Sequence, residues 1–107
     1  MRKLLLAFII LTFGSGAHAA DRVGDPVAGK RTAYDLCRQC HDTTGSEKQS
    51  NPPGGAPAFI VVAQSKGQTP QTLRRKLMLP HGRMDNLILT GQDAENVISY
   101  IMSLHHQ

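Results

Sequence analysis

Cys37-Arg38-Gln39-Cys40-His41 decides how this chain is read. Two thiols separated by two residues, followed at once by an imidazole, form the sequence signature of covalent c-type haem attachment. At this spacing both sulfurs can face one side of a planar ring while the histidine reaches the metal at its centre. Cys37 and Cys40 are therefore the expected anchors, and His41 the expected iron ligand. Iron held by His and Met is a known low-spin arrangement, and the thioether raises its reduction potential.

Three plainer readings compete for the same residues. A thioredoxin-like redox pair calls for a βαβ context, and no Val/Ile-rich strand followed by a crossover helix is evident in this chain. A zinc site needs two more ligands, which would come from His81, His105 or His106, and these are not spaced as in known zinc modules. A disulfide between Cys37 and Cys40 leaves His41 without a role.

Outward from the motif, the N-terminus reads as a secretory leader. Arg2 and Lys3 form a positive start, Leu4 to Phe13 an apolar run, and Ala17-His18-Ala19 a small-residue cleavage site. The run falls short of the roughly 20 residues that cross a bilayer comfortably, so cleavage is expected over anchoring. Residues 1–19 are thus assigned to the leader and 20–107 to one domain. The destination is oxidising, which suits thioether attachment.

The 88 residues left by removal of that 19-residue leader build only a thin core. The chain has no Trp, three Phe and two Tyr, and its two Cys cannot staple it if both are thioethers. Domains of this size usually need a staple or a cofactor. A haem would supply the apolar mass, so the protein without it is expected to be largely unfolded. The formal charge of +4 falls to +2 once Arg2 and Lys3 are removed. Neither a basic stripe nor a recognition motif supports nucleic-acid binding.

Four helical segments are expected. Asp25 as N-cap with Pro26 behind it starts the first, which runs to about Cys37. Gly29, Ala33, Leu36, Cys37 and Cys40 give it a narrow face of mostly small residues. A glycine inside a helix is unfavourable by about 1 kcal/mol relative to alanine, and close crossing by another helix would explain Gly29. Residues 42–55 are polar loop. Phe59 to Ala63 is ambiguous between helix and strand on periodicity alone, and the proline start at Pro57 tips it to helix.

Thr69-Pro70 begins a third helix through about Met78, with Leu73 and Leu77 inward. Arg74, Arg75 and Lys76 form a basic run, read evenly as a solvated face or as a docking or propionate-pairing group. Pro80 and Gly82 break this helix, leaving Met84 on a loop where its sulfur is free to turn to a metal. Met78 and Met102 lie in helical stretches and are assigned to packing. Thr90 to Asp93 resembles a capping box. Ala94, Val97, Ile98, Ile101 and Leu104 then recur with helical period, and Tyr100 lies off the centre of that stripe, placed to cover Gly29 if the terminal helices cross.

With these residues set out, the chain after the leader resembles class I c-type cytochromes, small bacterial ones in particular, over nearly its full length. The shared order is Gly29, Cys37 to His41, Pro57 with Phe59, the loop Met84, and a last helix with Val97 and Tyr100. The resemblance implies an all-α, cytochrome c-like fold of about four helices around one covalently attached haem c. In it Met84 is the distal iron ligand, and the Pro57 carbonyl, or less readily that of Pro53, holds the His41 ring. It also implies a periplasmic electron carrier, not itself an enzyme, cycling between Fe(III) and Fe(II).

Redox partner proteins with an acidic docking surface are then expected, met by Arg83 with Arg74 to Lys76. No nucleic-acid partner and no stable membrane span after cleavage are expected. Two departures from the pattern stand out. Ala33 occupies a position often aromatic, leaving Tyr34 as a possible filler, and Asp85 follows Met84 where proline is common. His81 is the alternative distal ligand or else a loop histidine in solvent; rival readings are a haem subunit of a periplasmic dehydrogenase, a gas-ligand binder or sensor with an open distal site, and a cofactor-free thiol oxidoreductase.

Overall fold

A computed structural model describes residues 24–48, 55–79, 84, 87, 89 and 91–106. Among these, four helices and a closing turn account for the regular structure: α1 (Pro26–Cys37), α2 (Phe59–Gln64), α3 (Pro70–Met78), α4 (Gly91–Ser103) and a 3-10 turn at Leu104–His106. The all-α expectation holds in this coarse form. The leader, Pro53, His81, Arg83, Asp85 and Thr90 lie outside the described residues. Among the described residues no helix is long and apolar enough to cross a membrane.

The starts of α1 and α3 follow from their capping chemistry. Asp25 accepts the Val27 amide at 2.8 Å, and Pro26 fills a position whose N–H would have no partner. Thr69 accepts the Thr72 amide at 3.2 Å while Thr72 Oγ1 accepts the Thr69 amide at 3.0 Å, a reciprocal cap built from two threonines. α2 has no side-chain cap at Ala58. Its first amide, Phe59 N, is satisfied instead by Asp42 O at 2.9 Å.

α4 is the hub. It packs against α1 most extensively and also touches α2, α3 and the closing turn. Ala94, Val97, Ile98, Ile101 and Leu104 are all buried, as their period predicts, and they meet Ala33, Cys37, Phe59, Ala63, Leu73, Leu77 and Leu89 in one core. The α1–α4 crossing is close at Gly29, where an added Cβ would stand 1.8 Å from Asn96 O. Asn96 Oδ1 also accepts the Asp25 amide at 2.8 Å, which pins the start of α1 to the same turn of α4.

Several expectations are corrected here. What comes nearest to Gly29 is the Asn96–Val97 backbone. Tyr100 is buried and donates its hydroxyl to Thr43 O at 2.5 Å. Tyr34 does not fill the crossing; it is 55 % exposed beneath the Arg38 guanidinium, 4.2 Å from its ring centre. The inner face of α1 is narrower than expected, since Gly29, Ala33 and Cys37 are buried but Leu36 and Cys40 are exposed. Packing does not account for Met78 either, because it lies exposed beyond Leu77 on the last turn of α3. Arg74 is withdrawn from the basic run by Glu95, which takes its Nε at 2.7 Å and its Nη2 at 2.8 Å and so ties α3 to α4.

Candidate functional site

The site begins where α1 ends. Cys37 O accepts from both Cys40 N, at 3.1 Å, and His41 N, at 2.9 Å, so the chain stays in a tight helical turn through the motif. Positions three apart on such a turn share a side, which sets Cys37 and Cys40 as neighbours and throws His41 beyond them. Both cysteines are free thiols, Cys37 buried and Cys40 exposed. Burial first, and the neighbouring Cys40 second, push the Cys37 thiol up to about 11. Its place at the C-terminal end of a helix gives a thiolate no help either. A dithiol oxidoreductase needs the opposite, a first cysteine with its pKa pulled down.

The motif is clamped to the segment before α2 by three hydrogen bonds. Ala56 N donates to Cys40 O at 3.1 Å, His41 Nδ1 to Pro57 O at 2.6 Å, and Phe59 N to Asp42 O at 2.9 Å. The middle one fixes the chemistry. A carbonyl can only accept, so Nδ1 carries a proton, and it is Nε2 that can offer a lone pair to a metal. Helix α2 begins at Phe59, which leaves the Pro57 carbonyl outside the helical ladder and available to the imidazole. The Phe59 ring backs the His41 ring at 5.2 Å, tilted by 57°, and the Tyr100 ring stands 6.4 Å behind Phe59.

Asp42, next in sequence to His41, is buried and contributes a second layer that the sequence did not disclose. Its Oδ1 accepts the Thr44 amide at 2.9 Å and the Thr44 hydroxyl at 2.7 Å, closing the loop on itself. Gly45 follows at φ +76°, and an added Cβ would stand 2.6 Å from Leu104 Cδ2, so the loop lies tight against the closing turn. An aspartate followed two residues later by a threonine is the local signal for such a turn.

The structure thus brings Cys37, Cys40, His41 and Pro57 together. Met84 is half-buried on the α3–α4 connection and packs against the core to which Cys37 belongs, and its carbonyl accepts the Leu87 amide at 3.1 Å. Among the described residues no three His, Cys, Asp or Glu side chains cluster. The donor set suits a haem held through two thioethers. It has two unpaired sulfurs on one helical turn, and an imidazole tied through Nδ1, which leaves Nε2 as the nitrogen for a metal. No family model, curated protein or solved structure matches this chain.

Proposed function

We propose that this chain is an exported, single-haem c-type cytochrome that passes electrons one at a time between partner proteins in the periplasm. The observation that supports this most is the His41 Nδ1 to Pro57 O hydrogen bond directly beside two free thiols. A plain disulfide or a dithiol redox pair has no use for a histidine with one nitrogen tied and the other presented. Cys37 and Cys40 would anchor the ring, and His41 and Met84 would bind its iron.

When bound, the haem supplies reversible Fe(III)/Fe(II) chemistry. The chain's own residues govern how little else changes. Pro57 O holds the imidazole in one tautomer and one orientation, and raises its electron-donating strength through the shared proton. Phe59 limits ring rotation from one side. The buried core around Cys37, Val97 and Ile101 excludes water from the inner face of the motif. Ligands fixed in both oxidation states reorganise little, which favours fast transfer.

The visible spectrum of the reduced exported protein, taken before and after adding CO, tests this. A covalently held haem spectrum that CO leaves unchanged is the expected result. A spectrum transformed by CO would assign an open or labile distal site and a ligand-binding role. No haem spectrum, with two thiols that react with alkylating reagent, would overturn the reading.

A further inference from the structure

The outward face of α1 is unusual for a helix whose inner face is so narrow. Val27, Arg31, Tyr34 and Arg38 recur at i, i+4, i+7 and i+11 and are all exposed, with Lys30 exposed beside them. Two acids stand beside this stripe: Asp35, four residues on from Arg31, and the buried Asp42, whose carboxylate holds the Thr44 hydroxyl. The α3 run, by contrast, has lost Arg74 to the ion pair with Glu95. Among the described residues neither Lys30 nor Arg31 belongs to an ion pair.

A shallow pocket of about 130 Å³ opens on the same face, lined by Lys30, Tyr34, Thr43 and Thr44. Its wall is largely apolar, from the Tyr34 ring and the threonine methyl groups. The Thr44 hydroxyl proton is engaged by Asp42, which leaves the Lys30 ammonium as the charged donor at the rim. The floor is rigid, since Thr43 O receives the Tyr100 hydroxyl and Asp42 closes the turn. Stacking on Tyr34 also holds the Arg38 guanidinium in place, which lowers the ordering cost of engaging it.

We propose that this face docks an acidic segment of a partner protein, with one glutamate or aspartate side chain seated in the Lys30–Tyr34–Thr43–Thr44 pocket. The apolar wall would take the methylene stem and Lys30 the carboxylate. Arg31 and Arg38 would meet further acids along the helix. An anionic membrane is the poorer match. Val27 is the one aliphatic residue in the stripe, too little for a helix to sink into a lipid interface. The proposal relies on the function proposed above only for the partner's redox role, because the pocket and its charge are properties of the fold.

The test is an amide NMR titration of the exported protein as purified, at low salt, with a hexaglutamate peptide, using hexaglutamine and phosphatidylglycerol vesicles as alternatives. Shifts centred on Lys30, Arg31, Tyr34, Arg38 and Thr44 are expected. Binding should fall about tenfold in the Lys30→Glu/Arg31→Glu variant and about threefold in Tyr34→Ala. It should hold in Arg75→Glu/Lys76→Glu. Shifts centred on α3, equal binding of hexaglutamine, or preference for the vesicles would each overturn the proposal. A haem spectrum recorded on the same sample keeps the two readings apart: no haem but intact α1 binding removes the electron carrier, and haem without α1 binding removes the docking face.

Discussion

At the scale of single residues, Tyr100 carries more of the site than its place in the sequence suggests. Its hydroxyl meets Thr43 O, and its ring stands behind the Phe59 ring that backs His41. Burial first, and the charge of Asp42 second, raise its pKa above the ordinary tyrosine value of 10. A folded-state pKa above the unfolded one means that the stabilisation is full below about pH 10 and is lost as pH rises through the folded value. Tyr100→Phe should therefore cost about 1 kcal/mol at neutral pH in a urea melt, from the lost bond and the stranded carbonyl. The gap between variant and wild type should close above pH 10. A gap that stays constant into strong alkali would show that the phenol does not titrate there. Pro57 and His41 were legible as a pair from the family pattern. Asp42, Ala56 and Phe59 were not, because in their two bonds both donor and acceptor are backbone atoms, whereas the Pro57 carbonyl is met by a side chain that the motif names.

Among the elements, the α1–α4 crossing is the one that a single methyl group should break. An added Cβ at Gly29 would collide with Asn96 O at 1.8 Å, a backbone atom that cannot rotate aside. Gly29→Ala gains about 1 kcal/mol in helix propensity. Against this, overpacking costs about 1–3 kcal/mol, and the fixed backbone neighbour puts the net effect toward destabilisation. A lowered urea midpoint with an unchanged slope is the expected outcome; a raised midpoint would mean that the helices simply move apart. The helix starts were readable from Asp25-Pro26 and Thr69-Pro70, since each cap uses a local hydrogen bond that the sequence spells out. The aromatic positions were not. Tyr34 and Tyr100 both sit off their helices' apolar centre lines, and periodicity alone does not say which is drawn inward by a distant carbonyl and which is held out by a neighbouring arginine.

In the whole molecule, one helix organises a core that is short of large side chains. Among the described residues Val97 and Leu104 are the largest fully buried side chains, and the aromatic side chains of the core are Phe59 and Tyr100. On the proposed function the cofactor completes this core. Replacing Cys37 and Cys40 together by serine should then leave the exported chain largely unfolded by far-UV circular dichroism. A native-like spectrum from that variant would show that the helices stand without the haem. The crossing also has a consequence for timing. Asp25 and Asn96, which hold the first and last helices together, are 71 residues apart. A chain that crosses a membrane N-terminus first presents Cys37, Cys40 and His41 to the far side well before α4 has arrived to cover α1. On the proposed function the last helix therefore acts as a clock for one sulfur: until it packs on α1 the Cys37 thiol stays open to modification, and its arrival buries that thiol while Cys40 remains exposed.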